Sequence, residues 1–416
     1  MSNTTAEQVR AGVEAWIGAN WDPALSVREW WARLAASGYA APMLPVEVGG
    51  LGYSRDLFAS VNSALAKAGC VGPPLGMGIS LVSPTIAVHG TETQKQTLIR
   101  EILLGEVAWC QLFSEPNSGS DLAGMQCRAE LDGDEYVITG QKVWTTGGQW
   151  ADRGMLLART NFDLPKHQGI TFFALNMHQP GVEVRPLREM TGRAMFNEVF
   201  ITEARVHRDM VIGGLNNGWA VANTTLTFER ASIGSGGGGN FGVAIPGTVA
   251  NNLDRAVGDF VAERSSQAAG SVGPGTVKQY IGIARERGLI NDPTVRQDLA
   301  ELHILTEVNR LNMLRTRAAQ NLTGVEGNLA KMLMTHTLRR ARDVGSALLG
   351  AGAMLWGPDA PTGGAVQEMT VYSPAPSIYG GTDQVQRNIV GERGLGLPKE
   401  LGDFRAMPFK DLPKNG

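Results

Sequence analysis

Four short stretches of the chain carry side chains whose type and spacing suit chemistry. Ser114-Glu115-Pro116-Asn117-Ser118-Gly119-Ser120-Asp121 is a loop of small residues at the end of a strand-like run. Its backbone N–H groups and the hydroxyls of Ser114 and Ser120 suit presentation to a phosphate or to the polar edge of a cofactor ring. Loops of this composition are, however, commonly plain turns. In Gly140-Gln141-Lys142-Val143-Trp144-Thr145-Thr146-Gly147, Trp144 offers a face to stack on a planar ring and Thr146 a hydroxyl to donate to a ring nitrogen. A lone tryptophan on a strand more often fills a core. Phe228-Glu229-Arg230 sets an acid beside an arginine near the end of a helical stretch, a pairing that is usually an ion pair or a solvated edge. Ile378-Tyr379-Gly380-Gly381-Thr382-Asp383-Gln384-Val385-Gln386-Arg387 is a tight turn feeding a final helix.

The elements that must position these stretches change character twice. Up to about residue 110 the pattern is helical: Val9, Val13, Trp16 and Ile17 share one face behind a capping box from Thr5 to Gln8. Leu57, Val61 and Leu65 repeat that spacing, Thr91-Glu92-Thr93-Gln94 reads as a helix start, and residues 45–52 form a turn-rich loop. From there to 213 the runs are short and bounded by Gly, Pro, Asp and Asn, as strands are: 136–138, 154–158, 170–175 and 182–184. Asp132-Gly133 predicts a hairpin between Ala129–Leu131 and Tyr136–Ile138. Helical spacing returns after Gly218 through Trp219, Ala222, Leu226 and Ile233, and resumes over 298–317 and 328–349. The glycine-rich run at 234–239 predicts a break, since each interior glycine costs a helix about 1 kcal/mol relative to alanine.

Composition narrows the function classes. The 416 residues carry a net charge of -3, with 43% hydrophobic and 19% charged residues. That is an ordinary buried core with no electrostatic footprint for nucleic acid and no polybasic run for an anionic membrane. No apolar stretch approaches a membrane span. Glu7, Arg10 and Glu14 interrupt the first twenty residues, which argues against a signal or transit peptide. Cys70, Cys110 and Cys127 have no CxxC spacing, and six histidines show no paired short spacing. A reducing, cytoplasmic setting without a structural metal is expected.

In their order and separation the four stretches resemble the acyl-CoA dehydrogenase family over nearly the whole chain. SEPNSGSD is similar to its TEPGAGSD segment and GQKVWTT to its GQKxWIT segment. Met190 through Arg193 to Gly218-Trp219 and Glu229-Arg230 follows its middle-to-C-terminal junction, and IYGGTDQVQRNIVGERGLG its signature near the C-terminus. The resemblance implies an α+β fold: an N-terminal α-helical domain (1–112), a central β-barrel-like domain (113–213) and a C-terminal α-helical bundle (214–416). FAD would lie between the β domain and the C-terminal helices. Gln111, Phe113 and Ser114 would line its isoalloxazine, with Gly119 and Ser120 near the phosphates or the CoA. Trp144, Thr145 and Thr146 would cover the other side of the ring, and Thr382 and Gln384 would contact the nucleotide.

The implied reaction removes a proton from the α carbon of an acyl-CoA thioester and a hydride from the β carbon. A carboxylate in an apolar pocket suits the base, because desolvation raises its pKa towards the working pH. Many members carry that glutamate just after the tyrosine, as YEGT. This chain has Tyr379-Gly380-Gly381-Thr382, so Gly380 supplies no base. The resemblance to relatives with the glutamate on the earlier helix selects Glu229, with Arg230 orienting it or the substrate. Gly380 and Gly381 would meet the thioester through backbone. The family's RxxFG element, which reaches FAD in a neighbouring subunit, survives only as Arg287 and Gln297, and 265–275 reads as a low-order insertion. These departures resemble a bacterial subgroup acting on bulky CoA esters, including sterol side chains, some assembled from two different subunits. The implied partners are an electron-transferring flavoprotein and a homo- or hetero-oligomeric dimer or tetramer. Two other readings stay open: an oxidase or flavin monooxygenase on the same fold, and a non-catalytic subunit completing another chain's site.

Overall fold

The computed structural model describes residues 4–233, 243–262, 274–318, 323–357, 359–399 and 406–412. The glycine run at 234–239 and most of the 265–275 stretch lie outside the described residues.

The first segment is helical for reasons visible in its caps. Helix α1 (Ala6–Asn20) starts at Thr5, whose side chain accepts from the Gln8 N–H while Gln8 reaches back to the Thr5 N–H. Val9, Val13 and Ile17 form its buried stripe. Helix α2 (Val27–Ser37) has the same box from Ser26 to Glu29 and stops at Gly38 in the left-handed region. Its adjacent Trp30 and Trp31 are fully buried and donate their indole N–H groups to the Val71 and Gly72 carbonyls, 2.9 Å each. Helix α3 (Arg55–Lys67) packs on α1; α4 (Ser83–His89), α5 (Glu92–Gln94) and α6 (Arg100–Leu103) complete this part.

Eight strands follow: β1 (Trp109–Leu112), β2 (Arg128–Asp132), β3 (Glu135–Lys142), β4 (Arg153–Arg159), β5 (Ile170–Asn176), β6 (Val182–Leu187), β7 (Phe196–His207) and β8 (Val211–Ile212). They form one sheet in the order β6-β7-β3-β2-β4-β5-β8, with β1 parallel to β4. The hairpin signal at Asp132-Gly133 is realised one residue further on. Asp132 pairs with Glu135, so Gly133 (φ 65°) and Asp134 are the two loop residues. At the β3–β7 bulge a Cβ on Gly140 would stand 2.7 Å from Cys127, so only glycine fits there.

The period-2 alternation of β4 and β5 divides the packing. Met155, Leu157, Ile170 and Phe172 face a core shared with the N-terminal helices, whereas Leu156, Ala158, Phe173 and Leu175 face a second core inside the sheet domain.

The last part comprises α7 (Gly218–Ile233), α8 (Val257–Ala262), α9 (Pro274–Glu286), α10 (Pro293–Ala318), α11 (Glu326–Leu349), α12 (Ala365–Tyr372) and α13 (Asp383–Ile389). Helices α9, α10 and α11 enclose a third core around Tyr280, Leu302 and Leu348. Val221, Ala222 and Val257 instead join the first core, so α7 and α8 pack with the N-terminal helices. The arrangement is α+β, with helical regions flanking a central sheet.

Candidate active site

Helix α7 is fixed at its beginning and works at its end. A Cβ on Gly218 would come within 2.6 Å of the Thr171 backbone, so α7 begins pressed against β5. Thr225 meets Thr85 at 3.0 Å and Thr224 meets His89 at 2.8 Å. With Val221 and Ala222 buried, three turns are locked before Glu229. Its carboxylate oxygen Oε2 accepts a hydrogen bond from Gln111 Nε2 of β1, 3.2 Å away. Burial raises the Glu229 carboxyl above its ordinary pKa, while the Gln111 bond and the positive Arg230 pull it back down. Burial lowers the Arg230 guanidinium, which Glu229 supports and Arg393 opposes. Arg230 also donates to Thr227 Oγ1 (3.2 Å) and lies against Gly327 at the start of α11.

The same end of α11 holds the glycine turn. Lys331 Nζ donates to the Gly381 carbonyl at 2.6 Å, and Asn328 Nδ2 to Gln386 Oε1 at 2.5 Å. Gln386 in turn donates to the Gly380 carbonyl at 2.7 Å. Both glycines are left-handed (φ 62° and 82°), and a Cβ on Gly381 would meet Gln386 Nε2 at 2.7 Å. Thr382 caps α13 by accepting from the Val385 N–H, Gln384 is exposed, and buried Asp383 pairs with Lys331 and Arg339. Gly327, Asn328 and Lys331 thus bring the Glu229-Arg230 end of α7 and the 380–381 turn to one helix terminus.

The loop after β1 is organised by a buried ion pair that the sequence motifs contain but do not announce. Lys142 Nζ lies 2.8 Å from Glu115 Oε1 and donates to the Phe113 carbonyl at 3.1 Å. Glu115 also accepts from the backbone N–H groups of Gln126 and Cys127. These bonds satisfy both charges, as their nearly complete burial requires. The Phe113 ring is buried edge-on to Phe172. Ser114 is half-buried, its carbonyl accepting from Val143 N–H, whereas Gly119 and Ser120 are exposed.

Trp144 is not the core residue of a strand. It lies beyond the end of β3, 61% exposed, with φ 61°, a conformation unusual for a bulky side chain. Thr145 is buried and exchanges backbone hydrogen bonds with Asn197 of β7, 3.0 Å each way. Its hydroxyl, and Asn197 Oδ1 beside it, are buried without a hydrogen-bond partner. Half-buried Thr146 follows. An outward tryptophan beside the half-buried Thr146 fits a planar polar ring brought in from outside the chain. Arg287 and Gln297 are both exposed, at the end of α9 and the start of α10.

The chain matches, in order, the N-terminal (2–106), middle (110–203) and C-terminal (253–395) domains of acyl-CoA dehydrogenase. It belongs to the acyl-CoA dehydrogenase family. "Acyl-CoA dehydrogenase IpdE1" of Mycobacterium tuberculosis is 32% identical over 379 residues, covering 90% of this chain and 88% of that protein. A solved structure titled "Tcur3481-Tcur3483 steroid ACAD" superposes with a TM-score of 0.71 at 25% identity, over 96% of this chain and 99% of that one. The ChsE4-ChsE5 complex from Mycobacterium tuberculosis gives a TM-score of 0.69 at 27% identity, covering 96% and 100%. The chain is accordingly an FAD-dependent oxidoreductase. Trp144, Thr145 and Thr146, with Ser114, Gly119 and Ser120, could hold FAD.

Among the described residues no group of three or more His, Cys, Asp or Glu could hold a metal, and no helix is long and apolar enough to cross a membrane. The three cysteines are free and buried; burial pushes the Cys70 and Cys110 thiols up to about 12 and Cys127 to about 11. None is a nucleophile at neutral pH.

Proposed function

We propose that this protein oxidises an acyl-CoA thioester to the 2-enoyl-CoA, with Glu229 taking the α proton. The observation that carries the reading is the Glu229 carboxylate: half-buried, raised in pKa by burial, and set on a helix end that shares the α11 terminus with the 380–381 turn. Ionised Glu229 in that setting is a stronger base than in water and needs no side chain at Gly380. The Gly380 and Gly381 backbone would meet the thioester carbonyl as enolate character develops, and Arg230 would hold the carboxylate in its ionised form. FAD, when bound, supplies the two-electron acceptor for the hydride leaving the β carbon. Exposed Ser120 and Gly119 suit contacts to CoA or to cofactor phosphates.

The substrate we infer is a bulky acyl group such as a steroid-derived side chain. The steroid dehydrogenase among the structural neighbours supports this, as does the missing side chain at Gly380. An electron-transferring flavoprotein would reoxidise the enzyme, and the free thiols suit the cytoplasm. Glu229→Gln should retain wild-type flavin content and lose turnover by about 10²–10⁴-fold, the usual contribution of a positioned base. Turnover within a few-fold of wild type would remove Glu229 from the chemistry.

A second reading concerns assembly. One neighbour is a ChsE4-ChsE5 complex, and Arg287 and Gln297 are exposed here, where an inter-subunit cofactor contact would need them. A heteromer in which a different chain completes the FAD site is supported by both.

A further inference from the structure

The side chain that touches the proposed base belongs to strand β1. Gln111 stands in β1 between buried Cys110 and Leu112, so its backbone is fixed by the ladder to β4 and its carboxamide has a defined direction. That direction is towards Glu229, 118 residues later, at 3.2 Å. We propose that Gln111 is a positioning residue for the base, whose N–H orients the Glu229 carboxylate and keeps it ionised at lower pH than burial alone would allow. This rests on Glu229 being the base.

Of the elements packed against α7, β5 and the π-helical segment Gly78–Val82 carry no titratable side chain. Helix α4 contributes His89, which is occupied by Thr224. At the start of α11, Glu326 is taken up by Thr323 and Gly324, and Lys331 by Gly381 and Asp383. Arg230 of its own helix is a positive charge that acts on Glu229. Gln111 is a contact from outside α7 that favours the ionised base. A hydrogen bond to a charged group stabilises it more than one between neutral groups.

The sign follows directly. Removing the donor favours the protonated acid, so the pH at which the base becomes active rises. The test uses the flavin-loaded protein and follows exchange of the α hydrogens of an acyl-CoA with deuterated water, which needs the base and no net hydride transfer. Gln111→Met keeps the length of the side chain and loses the donor; its exchange profile should shift up by about one pH unit. Gln111→Glu places a like charge beside the base and should shift it further in the same direction. Profiles that stay at the wild-type midpoint while exchange is unchanged or falls equally at all pH would overturn the proposal. So would a loss confined to flavin reduction, which would leave Gln111 as a ring-lining residue only. Should either variant lose flavin, the infrared carboxyl band of Glu229 can be titrated in wild type and variant without turnover, the same upward shift being required. Glu229→Gln run in parallel separates the two claims: undiminished exchange there removes the base assignment itself.

Discussion

At the residue scale, two side chains sit where their intrinsic preferences oppose them. Glu229 carries a carboxylate into a half-buried position, and the sign of its effect on stability is fixed by that. Its folded pKa lies above the ordinary value, so the folded state holds the proton more tightly than the unfolded chain. Stability attributable to this group is therefore lost as pH rises through the folded pKa, and the penalty is absent below the ordinary carboxylate value. Glu229→Gln should raise the melting temperature at neutral pH, with the difference vanishing towards pH 4, as scanning calorimetry across that range would read. Trp144 is the other case. Trp144→Gly should relieve left-handed strain of about 1 kcal/mol, leaving the flavin-free protein no less stable while weakening flavin retention. Equal loss of stability and flavin would make Trp144 a packing residue. The sequence made the identity of both residues legible through their motifs. It did not reveal that Trp144 leaves the strand and turns outward, because a positive φ at a tryptophan has no signature in composition.

At the scale of elements, the loop from 114 to 127 and the turn at 380–381 are both held by buried charge. Lys142→Met would strand Glu115 without its cation and should cost about 3–5 kcal/mol in denaturant unfolding, whereas changing both partners to neutral residues should cost less. A cost below about 1 kcal/mol for the single change would mean water reaches the pair. Thr382→Ala removes the α13 cap and should cost about 1 kcal/mol. These roles were only half legible. The capping box at Thr5, the helix start at Thr91 and the helices over 298–317 and 328–349 follow from local rules and appear as read, and the hairpin forms with its turn one residue further on. The Lys142–Glu115 pair, the Lys331 bond to Gly381 and the Gln111–Glu229 contact join residues 27, 50 and 118 apart. Periodicity and turn chemistry carry no information across such separations, and only the folded sheet brings those partners together.

At the scale of the whole molecule, three hydrophobic cores do not follow the order of the chain, since α7 and α8 join the first. The segment 406–412 also returns to the sheet domain. Phe409 N–H donates to the Leu164 carbonyl at 2.9 Å, and the Arg159 guanidinium lies 3.4 Å from the Phe409 ring. Arg159 is fully buried and held by the Met125, Ala123 and Lys166 carbonyls, and burial lowers its pKa to about 10. Phe409→Ala opens that site and should cost about 3 kcal/mol or more in unfolding. The central claim joins all three scales: a flavoprotein that removes the α proton of a CoA ester with Glu229. Anaerobic titration of the flavin-loaded protein with a steroid side-chain CoA thioester, wild type beside Glu229→Gln at equal flavin content, tests it most directly. The expected result is bleaching of the flavin absorbance in wild type and none in the variant over the same time. Equal bleaching in both, or none in wild type with any CoA ester offered, would contradict it.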